Sequence, residues 1–215
     1  MTGLGAVLVV AAAAAMLVTW AGTWTGRRPL EWAGKPAAML LLAAAVAAAP
    51  VPNATVKALV AAGLVLGAAG DVLLMLPHER LVPGIAAFLA GHLAYLAAFV
   101  GIGLRGVPLL AAAFMTTAAT AVLTPRLTTG VRRQGHPRLA APIVVYAAAI
   151  DAMTAAAWGT AIPLVAAGAT LFLVSDGLFG WYHFVAPLAW GRRVNIVLYQ
   201  LGQLGIALGV ATIPR

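Results

Sequence analysis

The sequence predicts an all-α polytopic membrane protein with about eight transmembrane helices. Of its 215 residues, 63% are hydrophobic and only 8% are charged, and the mean hydropathy is +1.01. A soluble domain carries about 25% charged residues, so most of this chain is expected to lie in lipid. The apolar runs are continuous and do not alternate with polar residues, which favours helices over strands.

A helix needs about 20 apolar residues to cross the hydrocarbon core. Segments that meet or approach this length cover residues 4–24, 36–51, 56–76, 83–104, 107–123, 139–157, 162–182 and 194–211. Charge, proline or glycine separates them, in the order GRRPLEWAGK, PVPNATVK, PHERLVPG, RGVP, TPRLTTGVRRQGHPR, WGTAIP and HFVAPLAWGRR. The first segment lacks a basic leader and exceeds the roughly 7–15 apolar residues of a signal peptide, so it is interpreted as a helix. His78-Glu79-Arg80 is interpreted as a solvated hinge.

Positive charge predicts the orientation of these helices. The loops after the first, third, fifth and seventh spans hold ten of the thirteen cationic residues, namely Arg27, Arg28, Lys35, Arg80, Arg126, Arg132, Arg133, Arg138, Arg192 and Arg193. Cationic loops stay in the cytoplasm, so both termini are expected on the non-cytoplasmic side. Topology and anionic lipids thus explain the net charge of +8 better than nucleic acid does. Abundant alanine and arginine indicate a GC-rich bacterial genome, and hence the inner membrane of a bacterium.

Two aspartates occupy matching places in two apolar segments. Asp71 and Asp176 each follow the glycine of an Ala-Ala-Gly sequence by eight residues, and a leucine stands two residues after each. An ionisable side chain within the membrane costs a few kcal/mol or more and is rarely kept without a use. The match predicts parallel four-helix repeats, 1–105 and 106–215, within a single transmembrane domain 1–215; chance similarity between alanine-rich segments is the alternative.

Several other polar side chains fall near the depth of the aspartates. At about 1.5 Å per residue, both carboxyls lie roughly 8–9 Å inside the predicted cytoplasmic ends of their spans. The side chains within or reaching into this layer are Lys35, Asp71, His92, Tyr95, Tyr146, Asp176, Tyr199 and Gln203. Because a helix satisfies its own backbone, these groups are expected to bond one another or to line a wet cavity. Asp151 lies farther in and is interpreted as a structural partner for a hydroxyl or for the Trp158 indole.

Cofactor and metal chemistry find little support in the sequence. The chain has no cysteine, which excludes disulfides, thiolate catalysis and cysteine zinc sites. No phosphate-binding, dinucleotide-binding or metalloprotease motif occurs in its proper context. Asp71, Asp176 and His92 could bind a divalent ion, but no ligand spacing supports this. We expect no cofactor and no metal.

A series of short motifs occurs in a fixed order along the chain: Lys35-Pro36, Gly70 to Met75, Phe88 to Tyr95, Tyr146 with Met153, Gly168 to Asp176, and Tyr199-x-x-Gly202-Gln203. This ordered set resembles the YhhN family of membrane lysoplasmalogenases over nearly the whole chain. The resemblance implies hydrolysis of the vinyl ether bond of a lysoplasmalogen, or of a related ether lysolipid, to a fatty aldehyde and a glycerophospho-headgroup. The implied partners are the lysophospholipid substrate and the bilayer, with no nucleic acid; the oligomeric state stays open.

Vinyl ether hydrolysis protonates an alkene carbon and then adds water, so it needs an acid and a base. Asp71 and Asp176 are the expected pair, with their roles unassigned, because neighbouring carboxylates resist ionising together. Lys35 is expected to hold one carboxylate ionised. The resemblance makes the remaining candidates orienting residues for the catalytic groups and the water: His92, Tyr95, Tyr146, Ser175, Tyr199 and Gln203.

A proton-coupled transporter of small molecules or lipids is the main alternative. Parallel repeats and intramembrane carboxylates also occur in such carriers. Transporter sites usually lie near the midplane on broken helices, whereas this polar layer is displaced to one side. A metal-dependent hydrolase and a non-catalytic lipid-binding protein are further alternatives.

Overall fold

A computed structural model describes residues 3–76 and 80–213, which form eight long α-helices and one short 3₁₀ turn. The helices are α1 (Gly3–Thr25), α2 (Arg28–Ala48), α3 (Ala54–Met75), α4 (Leu81–Ile102), α5 (Gly106–Arg133), α6 (Ala140–Gly159), α7 (Pro163–Phe184) and α8 (Gly191–Ala211), with the turn at Pro137–Leu139. All eight are long and apolar enough to cross a membrane. The predicted fold class is confirmed. Of the predicted hinge, residues 78 and 79 lie outside the described part.

The helices pack as successive antiparallel hairpins, α1–α2, α3–α4, α5–α6 and α7–α8. Neighbouring hairpins meet through α2–α3 and α6–α7, and α4 against α6 and α2 against α8 complete the bundle. If the first four helices corresponded to the last four, the α4–α6 contact would correspond to the α8–α2 contact. The duplication itself stays a prediction. We call the end of the bundle where the two helices of each hairpin are joined the basic end, because most of the cationic residues lie there or in the adjoining turns.

The outer surface is apolar, as expected for a protein in lipid. On α5, Val107, Leu110 and Phe114 are 82%, 69% and 75% exposed. The main core lies among α2, α3, α4, α6, α7 and α8 and includes Leu42, Leu64, Phe99, Phe172 and Ile206. The chain is therefore an integral membrane protein whose buried interior is formed mainly by six of its helices.

Helix α2 begins well before its predicted start. The second span was predicted to begin at residue 36, but α2 begins at Arg28 and carries Pro36 inside it. Lys35 therefore lies about 10 Å along this helix, well inside the bundle rather than at its edge. The proline removes one backbone hydrogen bond, which the surrounding packing tolerates.

The loop predicted at residues 124–138 is largely wrong. Helix α5 continues through Pro125 to Arg133, because its last turns have their own apolar contacts. Leu127 and Val131 are buried against Phe184 at the end of α7. Gly130 makes this possible, since an ideal Cβ there would lie only 1.9 Å from the Phe184 carbonyl oxygen.

Glycines bring α7 and α8 into direct backbone contact. An ideal Cβ on Gly168 would lie 2.6 Å from the Gly202 carbonyl oxygen, and one on Gly202 would lie 2.8 Å from the Gly168 carbonyl oxygen. Small residues permit this close approach in membrane helices. The contact fixes the height of Asp176 on α7 relative to Tyr199 on α8.

Candidate active site

Asp71 lies near the last turn of α3 and is paired with Lys35 of α2. The Lys35 Nζ atom is 2.9 Å from Asp71 Oδ1, and the two side chains are 14% and 2% exposed. The ammonium thus supplies a positive counter-charge within the bundle. The second carboxylate oxygen, Oδ2, is buried and has no hydrogen-bond partner among the described residues.

Two further polar atoms without a hydrogen-bond partner lie beside Gly67, which is one helical turn before Asp71 on α3. The Tyr199 hydroxyl and the Gln203 Nε2 atom are buried without a hydrogen-bond partner in the described structure. An ideal Cβ on Gly67 would lie 3.1 Å from the hydroxyl and 3.2 Å from Nε2. Tyr199 nevertheless lies close enough to Asp71 and to Gln203 to interact with both side chains, although not in good hydrogen-bond geometry. The other end of the Gln203 amide is fixed, because its Oε1 accepts a 2.6 Å hydrogen bond from the Tyr95 hydroxyl.

Asp176 belongs to a separate hydrogen-bonded group on α4, α6 and α7. The Tyr146 hydroxyl donates to Asp176 Oδ2 over 2.5 Å. The Nε2 atom of His92 lies 3.1 Å from the same oxygen and 2.9 Å from the Tyr146 hydroxyl. His92 is fully buried, whereas the Asp176 side chain is 17% exposed. In the described part of the chain, no lysine or arginine pairs with this carboxyl.

Phe172 packs between an aromatic side chain of each group, His92 and Tyr199. Its ring centroid is 4.7 Å from that of His92 and 5.4 Å from that of Tyr199. No Cα atom of α4 comes within 8 Å of one on α7. The side chains of His92 on α4 and Phe172 on α7 therefore meet across a gap between the two backbones. Among the described residues, hydrogen bonds do not join Asp71 to Asp176.

Two of the sequence candidates have other partners. Ser175 Oγ donates to the Asn195 carbonyl oxygen at 3.2 Å, and Asn195 Nδ2 donates to Ser175 Oγ at 2.9 Å. Ser175 therefore ties α7 to α8 and is hydrogen-bonded to neither carboxyl. Asp151 Oδ2 accepts a 2.6 Å hydrogen bond from Thr120, which is the structural role predicted for it. The alternative partner is wrong, since the Trp158 indole donates to Thr170.

Sequence reasoning assigned no role in this region to two residues that shape it. Glu31 was assigned to a loop but is a buried side chain of α2, 3% exposed and paired with Arg192. It is the one acidic side chain in the basic segment GRRPLEWAGK, and this is the signal that could have found it. Phe172 carries no such signal, because one apolar ring among many is inconspicuous in a membrane helix.

The arrangement provides two carboxyls with different surroundings inside a low-dielectric bundle. One faces an ammonium, and the other faces only a phenol and an imidazole. Such a pair can differ in protonation state, which is what acid–base catalysis requires. Over residues 3–76 and 80–213, no three His, Asp or Glu side chains converge as metal ligands.

Known proteins are similar to this chain over most of its length. The profile of the YhhN family matches residues 30–210. The chain is 29% identical to a protein of Mycobacterium tuberculosis named lysoplasmalogenase, over 83% of this chain and 72% of that protein. It is 30% identical to the mouse protein named lysoplasmalogenase TMEM86B, over 76% of this chain and 68% of the relative, and the human TMEM86B covers the same shares at 30% identity. No solved structure matches the chain.

Proposed function

Because the chain belongs to the YhhN family, we propose that it is a membrane hydrolase that cleaves the vinyl ether bond of a lysoplasmalogen or a related ether lysolipid. The products are a fatty aldehyde and a glycerophospho-headgroup. The names of its curated relatives support this reaction. The observation that carries the mechanism is the presence of two intramembrane carboxyls, of which one is paired with a lysine and the other with a histidine and a tyrosine.

In the first step, Asp176 is the acid. Its Oδ2 atom accepts the Tyr146 hydrogen bond and lies within reach of His92, which leaves Oδ1 to carry a proton toward the substrate. That proton adds to the alkene carbon farther from the ether oxygen. The remaining positive charge is shared between the adjacent carbon and the oxygen as an oxocarbenium ion. His92 and Tyr146 then stabilise the Asp176 carboxylate that the transfer leaves behind.

In the second step, Asp71 is the base. Its counter-ion Lys35 suits an ionised carboxylate, and its unpartnered Oδ2 atom can accept a hydrogen bond from a water molecule. The Tyr199 hydroxyl and Gln203 Nε2 supply the other contacts that a buried water normally makes. Attack of this water on the cationic carbon gives a hemiacetal, and the displaced proton passes to Asp71.

In the third step, the two carboxyls exchange roles and return to their starting states. Asp176 accepts the hemiacetal hydroxyl proton, and Asp71 donates a proton to the departing glycerol oxygen. The carbon–oxygen bond breaks, and aldehyde and glycerophospho-headgroup are released. One water is consumed, and no oxidant or reductant is needed.

The matched aspartates provide the test. In detergent, aldehyde release from a lysoplasmalogen can be coupled to NADH oxidation by alcohol dehydrogenase. Asp71→Asn and Asp176→Asn should each lower kcat by ~10²–10⁴-fold, the usual contribution of a positioned acid or base. Asp151→Asn is the control, because it makes the same change at an intramembrane aspartate that bonds Thr120; it should keep kcat within about threefold. Wild-type kcat in either of the first two variants contradicts the assignment, and intact substrate with the wild-type protein contradicts the reaction itself.

For the location, we propose the inner membrane of a bacterium with the basic end in the cytoplasm and both termini outside. The cationic residues at that end support this orientation. The sequence has no cysteine, so a single cysteine placed in the α5–α6 turn or near the N-terminus is a unique label site. In cells, an impermeant maleimide should label only the N-terminal cysteine; the reverse pattern would invert the orientation.

A further inference from the structure

A second ion pair, with a buried carboxylate and an exposed guanidinium, joins the first turns of α2 and α8, outside the groups assigned to catalysis. The Arg192 guanidinium bonds both Glu31 carboxylate oxygens, through Nη1 and Nη2. The Glu31 side chain is 4% exposed, whereas that of Arg192 is 57% exposed. The carboxylate is therefore enclosed by the bundle, while much of the arginine remains open at the basic end.

This pair lies one helical turn from the Lys35–Asp71 pair. Glu31 and Lys35 are four residues apart on α2, so their side chains share a helix face at a rise of about 6 Å. Lys35 bonds Asp71, and Glu31 bonds Arg192. The Glu31–Arg192 pair is thus about one helical turn nearer the basic end than the pair that contains the proposed base.

The spacing matches the chemistry of the proposed substrate. In a lysoplasmalogen, the glycerol backbone joins the vinyl ether oxygen to the phosphate, a span of roughly one helical turn. With its vinyl ether at Asp71 and Asp176, the substrate would place its phosphate near Arg192. An arginine has more N–H donors than one carboxylate can accept, so Arg192 can bind Glu31 on one side and a phosphate on the other.

We propose that Arg192 binds the substrate phosphate and that Glu31 is a positioning residue that holds the guanidinium in place. The inference rests on the proposed function, because it takes the site of bond cleavage from it. The ligand chemistry is a phosphate monoanion, and its source is the headgroup of the bound lysolipid. A bilayer phospholipid or free phosphate would offer the same group, and the test separates these sources.

The test measures binding of a saturated ether lysophospholipid, which the enzyme cannot cleave, so it does not depend on hydrolysis. A radiolabelled 1-alkyl lysophospholipid is compared with the 1-alkylglycerol of the same chain length, which lacks the phosphate, using purified protein in detergent. Arg192→Gln should weaken binding of the phospholipid by ~10–100-fold, the usual effect of losing charge-assisted hydrogen bonds. Binding of the alkylglycerol should change by less than about twofold.

The neighbouring arginine supplies the matched control. Arg193 is also exposed on the first turn of α8, and it makes no ion pair among the described residues. Arg193→Gln removes the same charge and should leave both affinities unchanged. Because Arg192→Gln leaves a buried carboxylate without its cation, the double variant Glu31→Gln/Arg192→Gln keeps the fold testable. It should show the same selective loss of phospholipid binding.

Kinetics add a second readout. With a cleavable lysoplasmalogen, Arg192→Gln should raise KM by a similar factor and change kcat by less than about threefold. If the protein binds the saturated phospholipid as described but cleaves no vinyl ether, the proposed hydrolysis is wrong while the phosphate site stands. Equal weakening of both ligands would overturn the phosphate site and make the pair a structural contact. Equal displacement by inorganic phosphate or by a diacyl phospholipid would also overturn it, because Arg192 would then be a general anion contact.

Discussion

The substitution Gly67→Ala tests the proposed water position with the smallest possible change. Its Cβ would lie 3.1 Å from the Tyr199 hydroxyl and 3.2 Å from Gln203 Nε2. These are two of the atoms that we expect to bind the attacking water together with Asp71. A methyl group placed between them occupies the volume that this water needs.

The effect on stability should be small. Replacing glycine by alanine inside a helix stabilises it by up to about 1 kcal/mol. The two contacts are shorter than ordinary van der Waals distances, so neighbouring side chains must move by a few tenths of an ångström, which offsets part of this gain. We expect a Tm within ~3 °C of the wild-type value.

The effect on catalysis should be large. If the water is displaced or moved by about 1 Å, kcat should fall by ~10²-fold, measured as aldehyde release from a lysoplasmalogen. The acid step and substrate binding should persist, so KM should change little. An activity loss without a stability loss is the expected signature.

Gly101→Ala is the matched control. Its Cβ would meet Val56 Cγ2 at 3.1 Å, near the other end of α3 and α4 from Asp71. It introduces the same methyl group at the same closeness, but against an apolar neighbour, and kcat should be unchanged. Wild-type kcat in Gly67→Ala would refute the water position, and so would an equal loss in Gly101→Ala.

Two further substitutions separate catalytic from structural roles. Lys35→Met leaves the Asp71 carboxylate, which is 2% exposed, without its cation, so the free energy of unfolding should fall by ~3 kcal/mol. The double variant Lys35→Met/Asp71→Asn should recover stability without activity. An unchanged stability of Lys35→Met would contradict the importance of the pair. Ser175→Ala removes the hydroxyl that bonds Asn195, so it should cost about 1 kcal/mol of stability and leave kcat within about threefold; a large fall in kcat at unchanged Tm would return Ser175 to the catalytic site.

The number of helices could be predicted from the sequence because length and hydropathy suffice for it. The ends of α2 and α5 could not, because Pro36 and Pro125 look like terminators when tertiary packing is ignored. Burial of Leu127 and Val131 against Phe184 outweighs the local signal in α5. In α2, Pro36 lies within a helix that packs against α1, α3 and α8.

Depth along the helices could group several polar residues that meet inside the bundle, but it could not predict their pairings. Counting along helices identified Lys35, Asp71 and Asp176 as members of one layer. Which side chains meet depends on how each helix is rotated about its axis. A helix that is apolar all round gives no periodic signal for that rotation, so the sequence did not reveal that Ser175 faces Asn195 or that His92 faces Asp176.

The Phe172 ring has a consequence for proton transfer. Protons move quickly along continuous chains of hydrogen-bonded oxygen and nitrogen atoms, and a benzene ring carries neither. Phe172 contacts both His92 and Tyr199, so it places an apolar ring between side chains of the two carboxyl groups' surroundings. We expect the resting enzyme to keep its single catalytic proton on one side, without leakage between turnovers, until the substrate itself completes the path.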